Sequence, residues 1–124
     1  MTIAFWCVFI AGLLPYIASI AAKAGASDYD NKDPRAWLAK QEGISSRANA
    51  AQHNGFEAFA LFAAAVLVAH AVHGQQHRVD QLAVVFIAAR LIYLPVYLKG
   101  WGTARTLVWA SGMVATLSIF LAAT

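Results

Sequence analysis

Glu57 and Arg90 each stand inside a long apolar stretch of the chain. A charge facing lipid costs at least about 2.5–3.5 kcal/mol on insertion scales, so both must face protein or water. A helical period of about 100° per residue puts Arg47, Asn54 and Glu57 within a sector of about 80°, and Arg90, Tyr93 and Tyr97 within about 60°. Each helix thus carries one polar stripe. On helices running in opposite directions, Asn54 and Glu57 lie about 10 and 15 Å deeper than Arg47, and Arg90 about 10 Å deeper than Tyr97. The stripes can therefore meet at matching depths, with Arg105 joining from the start of the last apolar segment. Together they outline a polar cavity suited to an anionic or zwitterionic small molecule. Arginines hold carboxylates in bidentate fashion, and Glu57 can take an ammonium group or pair with Arg90. The plain alternative is an interhelical Glu57–Arg90 ion pair that only fixes packing, with the tyrosines as interfacial belt residues. Types and spacing leave both readings open.

Composition identifies the solvent in which these stripes work. Of 124 residues, 60% are hydrophobic and 12% charged, and the mean hydropathy is +0.59, well outside the balance of a soluble domain. Four apolar segments, at about 3–24, 50–72, 82–98 and 107–123, each approach the roughly 17–25 residues that cross a hydrocarbon core of about 30 Å. The expected fold is all-α, an integral membrane four-helix bundle in a single domain, 1–124, with a polar first loop at about 25–49. A cleaved signal peptide competes for the first segment, which ends in small residues. No Lys or Arg precedes that segment, however, and it exceeds the usual signal core of about 7–15 residues.

Lys23, Lys32, Arg35, Lys40 and Arg47 lie at or between spans one and two, Lys99 and Arg105 between spans three and four, and only Arg78 between spans two and three. The positive-inside rule then puts the first and third loops in the cytoplasm and both termini outside. Cations clustered between apolar stretches form no basic face for nucleic acid, so no nucleic-acid partner is expected. Cys7, the single cysteine, provides neither an internal disulfide framework nor a thiolate cluster. In the first loop, Pro34 disfavours helix at Asp33, and Trp37 with Leu38 reads as a short interfacial segment. His70, His73 and His77, followed by Asp80, have ligand-type side chains at helical spacing. Gly74 and Gln75-Gln76 end the helix before His77 and break the shared face, so no metal site is expected. Pro15 and Pro95 read as tolerated prolines inside spans.

The run Arg47-Ala48-Asn49-Ala50-Ala51-Gln52-His53-Asn54-Gly55-Phe56-Glu57 resembles the second-span signature of the MAPEG family, the membrane-associated proteins of eicosanoid and glutathione metabolism. Arg90-Leu91-Ile92-Tyr93-Leu94-Pro95-Val96-Tyr97 is similar to that family's third-span motif, and Asp30 to Trp37 looks like its short bacterial members. The resemblance spans essentially the whole chain. It implies a homotrimer in a bacterial inner membrane, with glutathione as co-substrate, no metal, and the tripeptide held between neighbouring subunits near the cytoplasmic face. Arg47, Asn54, Glu57, Arg90, Tyr93 and Tyr97 match positions that contact glutathione. Arg105 matches, one residue out of register, the arginine that stabilises the thiolate. Ser46 and Ala50 stand where the eicosanoid-forming members carry an acid and a second arginine, a shortfall in cationic contacts that His53 or Arg35 can offset. The implied activity is that of a membrane-bound glutathione transferase or peroxidase, acting on lipophilic electrophiles from the bilayer in detoxification. A non-catalytic binding or structural protein of the same fold is the alternative. A small multidrug transporter using Glu57 as its coupling carboxylate is a third reading, with which Arg90 competes.

Overall fold

Thr2 opens the first helix, its side-chain oxygen accepting the Phe5 N–H at 3.1 Å, the usual way to satisfy a donor that a helix start leaves orphaned. In the computed structural model, which describes Met1–Thr124, five helices follow in order: α1 (Ile3–Lys23), α2 (Pro34–Ala39), α3 (Gly43–Ala71), α4 (Gln76–Leu98) and α5 (Gly102–Ala122). There is no strand. In lipid a helix satisfies every backbone group within its own segment, and α1, α3, α4 and α5 are long and apolar enough to cross a bilayer. The protein is an integral, multi-pass membrane protein with an all-α fold.

Three of these helices begin before their apolar stretches do. Apolar residues start near 50, 82 and 107, yet α3 starts at Gly43, α4 at Gln76 and α5 at Gly102. Hydropathy reports where lipid lies, whereas the backbone ladder continues through polar turns in the headgroup zone. The first loop therefore ends at Glu42 and not near residue 49.

That loop also contains a helix. Asp33 caps α2, accepting the Ala36 N–H at 3.3 Å, with Pro34 in the first turn, where its missing N–H has no consequence. Trp37 and Leu38 of that helix pack against protein. Each is only 8% exposed, packed with Ala22 and Ala48, and the indole meets Tyr29 edge-on at 5.1 Å. The loop is thereby folded down against the ends of α1 and α3.

Successive spans alternate in direction. α1 packs on α3 and α4, and α5 packs on α4 and α3, so the two middle spans form the shared centre. Small residues (Ala4, Ala11, Ala65, Ala69, Ala83) let the backbones approach, and Phe62 stacks on Phe86 with centroids 3.9 Å apart. At Gly55 the approach is close: a Cβ there would lie 3.0 Å from Pro15 Cγ. The buried Thr116 hydroxyl is satisfied within its own helix by the Gly112 carbonyl at 3.0 Å.

Asp80 ties the start of α4 to the start of α1. Its Oδ1 accepts the Ala4 N–H of α1 and the Gln76 side-chain amide, both at 2.8 Å. An orphan donor of one helix is thus capped by a carboxylate from another, and the negative charge faces the positive end of the α1 dipole. Asp80→Ala should lower stability by about 1–2 kcal/mol, read as an earlier unfolding midpoint in denaturing detergent, with Asp80→Asn recovering part of the loss.

Candidate functional site

Arg47, in the second turn of α3, turns toward α4. Its Nε and Nη2 donate to the Leu98 carbonyl at 3.2 and 3.0 Å, satisfying an oxygen at the last turn of that helix. Its guanidinium also lies 3.9 Å from where a Gly100 Cβ would stand, beneath the α4–α5 turn that Gly100 makes at φ +74. Arg47 therefore holds the turn from which α5 departs.

Seven residues further along α3, Asn54 meets α4. Its Oδ1 accepts Arg90 Nη1 at 2.9 Å, so the two polar stripes do meet. The residue that Arg90 meets is the amide and not the carboxylate: Glu57 is exposed on α3. Three positions on a helix rotate a side chain by about 60° from its neighbour, enough to turn Glu57 away once Asn54 faces α4. The packing ion pair between Glu57 and Arg90 is thus corrected to an Asn54–Arg90 hydrogen bond.

From Arg90 a continuous ladder runs toward the α5 start. The Arg90 guanidinium lies 4.2 Å from the Tyr93 ring centroid, Tyr93 meets Tyr97 edge-on at 5.5 Å, and the Arg105 guanidinium lies 4.8 Å from the Tyr97 ring. Spacings of three and four residues along α4 bring Arg90, Tyr93 and Tyr97 to one face. Tyr93 is 3% exposed, so it is a buried rung and not a belt residue. Each cation–π contact contributes about 0.5–2 kcal/mol, towards the upper end where water is excluded. Arg105 stands in the first turn of α5, where the helix dipole disfavours a cation. Its place there is maintained by the tyrosine and not by its own helix.

The space beside this ladder is not the polar cavity expected from the stripes. A cavity of about 180 Å³ between α1, α3 and α4 is walled mainly by apolar side chains, with Arg90 and Tyr93 as its polar members. The remaining residues noted in the sequence lie apart from it: His53 is exposed on α3 and Arg35 on α2. His70 ends α3 with its ring 4.8 Å from Phe5, His73 sits in the turn at φ 56, and His77 begins α4. No three His, Cys, Asp or Glu side chains group closely enough to hold a metal ion. The cap role of Asp80 and the cavity went unread in the sequence. For the cavity a signal existed, in the facing small residues Ala11 and Ala18 on one span and Ala51 and Gly55 on the next.

Four antiparallel spans with a cationic–aromatic ladder at the end bearing α2 define a membrane bundle with a buried polar centre. The chain belongs to the MAPEG family, whose sequence model it matches over residues 3–124. No curated protein and no solved structure matches it. Membership supports, at the level of the family, a membrane glutathione-related function of transferase or peroxidase type.

Proposed function

We propose that the protein is a membrane-bound glutathione transferase or peroxidase in which glutathione thiolate attacks a lipophilic electrophile that arrives from the bilayer. The observation that carries this reading is the ladder from Asn54 through Arg90, Tyr93 and Tyr97 to Arg105. It offers the Arg90 guanidinium to a carboxylate of the tripeptide and ends on a cation suited to its sulfur. A cation near a thiol lowers its pKa and raises the fraction present as thiolate nucleophile. In conjugation, the sulfur forms a bond to the electrophilic carbon as the leaving group departs. With a peroxide, the sulfur takes the terminal OH as the O–O bond breaks, the alkoxide takes a proton and leaves as the alcohol, and a second glutathione converts the sulfenic acid to the disulfide and water. Arg105 is the residue assigned to the thiolate. Asn54, Arg90 and Tyr97 hold the peptide, Tyr93 lines its place, and Arg47 contributes through the turn it holds together with its unused Nη1.

Glu57 fits the same reading. An exposed carboxylate midway along a membrane span is unfavourable against lipid, and a second copy of the chain covering this face of α3 removes the problem. A homotrimer with glutathione between subunits places Glu57 where it can meet the ammonium group of the tripeptide. On this reading the positive-inside rule favours the α2 end in the cytoplasm with both termini across the membrane, and the likeness of Asp30–Trp37 to the short bacterial members makes that membrane a bacterial inner one.

Internal satisfaction of Arg47 and Arg90 favours a second reading, a non-catalytic protein whose polar groups hold the bundle together. Calorimetry of reduced glutathione with the purified protein in detergent separates the two. Saturable binding that disappears in a folded Arg90→Ala variant is the expected result. Absence of heat up to millimolar glutathione would leave only the structural reading standing.

A further inference from the structure

The end of the bundle that bears α2 is divided in charge. Residues 24–42, packed on the ends of α1 and α3, hold Lys32, Arg35 and Lys40 against Asp28, Asp30, Asp33 and Glu42. The α4–α5 turn and the first turn of α5 hold Lys99 and Arg105 against none, because no Asp or Glu occurs between Asp80 and Thr124. Arg47 reaches the same turn from α3, its guanidinium 3.9 Å from where a Gly100 Cβ would stand. This corner is therefore the positive pole of that end, and cations gathered at a low-dielectric surface attract anions. Lys99 stands apart from the ladder. It caps α4 nine residues after Arg90, about 180° round the helix, and is exposed. Its Nζ lies 4.6 Å from the Trp101 ring centroid. An ammonium held over a ring face keeps its full charge and its N–H donors, which a carboxylate partner would take.

The side chains exposed at this corner are graded along the membrane normal. Lys99 comes first, Trp101 is 55% exposed at the start of α5, and Leu107 is 64% exposed, about 9 Å further along that helix. Ammonium, indole and apolar side chain succeed one another as phosphate, glycerol ester and acyl chain do in a phospholipid, and tryptophan favours the middle zone. A soluble acidic protein would meet the cations and leave Leu107 uncovered, so charge and grading together fit a lipid. A zwitterionic headgroup brings its own cation to a positive corner, whereas a phosphatidylglycerol-type headgroup brings a net negative charge. We propose that the α4–α5 turn is a binding site for one anionic phospholipid, with its phosphate on the Lys99 ammonium, its glycerol beside Trp101 and an acyl chain starting down α5 at Leu107. Lysine binds a phosphate as a point charge and tolerates the mobile geometry of a headgroup. The proposal stands whether or not the protein binds glutathione.

Native mass spectrometry tests the site directly. The full chain in detergent is equilibrated with an equimolar mixture of phosphatidylglycerol and phosphatidylcholine carrying the same acyl chains, and the lipids retained on the protein are counted. Preferential retention of phosphatidylglycerol is expected. Lys99→Gln should lower that preference about fivefold, the effect of one basic residue at an anionic surface, and Lys99→Arg, which keeps the charge and the donors, should preserve it. Lys40→Gln, in the first loop, should leave it unchanged. Lys40 and Lys99 are exposed, so these variants should fold as the parent does. Equal retention of the two lipids by the unaltered protein overturns the site. An equal loss of preference in Lys40→Gln and Lys99→Gln also overturns it, since the attraction would then belong to the whole end of the bundle. Excess inorganic phosphate should not displace the lipid; displacement would mark a site for free anions and overturn the assignment to a phospholipid.

Discussion

If the protein conjugates glutathione as proposed, Arg105→Ala should lower kcat by about 10²–10³-fold while glutathione binding changes only a few-fold, the penalty expected for removing a preorganised group that stabilises developing negative charge. The expectation follows from where the side chain is held. Its guanidinium is fixed over Tyr97 at 4.8 Å, so its position does not depend on the substrate. Its place in the first turn of α5 does little for the helix dipole, so the substitution should not cost the fold much. The pH profile adds a sign. A nearby cation depresses the thiol pKa of bound glutathione, and its removal raises that pKa. The rate of the variant should therefore keep climbing with pH where that of the unaltered protein has levelled off, and the deficit should shrink in alkali. Arg105→Lys retains the charge without the planar stacking group and should recover part of the rate. An unchanged kcat and pH profile in Arg105→Ala would show that the sulfur is activated elsewhere.

Asn54→Ala should destabilise the protein by about 1.5–3 kcal/mol, the range for a hydrogen bond to a charged group. Asn54 Oδ1 is the acceptor that Arg90 uses across the α3–α4 interface, at 2.9 Å. Without it, Arg90 keeps its guanidinium over Tyr93 but loses its hydrogen-bond acceptor among apolar neighbours. Reversible unfolding in mixed detergent micelles measures the change. A double-mutant cycle with Arg90→Ala isolates the pair, and the coupling should account for most of the single-variant loss. Asn54→Asp offers Arg90 an ionised acceptor in the same place and should hold stability near that of the parent. A cycle with no coupling would mean that Arg90 takes its stabilisation from Tyr93 alone.

These two expectations draw on different layers of information. That Arg90 and Asn54 lie on facing stripes was legible in the residues, because helical periodicity groups positions 47, 54 and 57, and 90, 93 and 97, without reference to any other part of the chain. That Asn54 and not Glu57 faces Arg90 was not. Periodicity defines a sector on each helix, but the rotation of one helix about its axis relative to the next is decided by which surfaces nest. Here the Phe62–Phe86 stack and the close passage of Gly55 over Pro15 set that rotation. The same holds for Arg47, whose role in holding the Leu98 carbonyl depends on where α4 ends relative to α3.

The amino-acid sequence by itself determined the four spans, the all-α class and the residues that carry charge into the membrane. Each of these follows from a local requirement: an apolar segment of sufficient length must satisfy its own backbone in lipid, and does so as a helix. Only the tertiary structure decided how far each helix runs past its apolar part, the burial of Trp37 and Leu38 of the first loop against α1 and α3, and the capping of α1 by Asp80. The cavity beside Arg90 and the outward turn of Glu57 belong with these. Such features arise where segments distant in the chain come into contact, and contact geometry is fixed by the mutual fit of side-chain surfaces, which no single segment encodes.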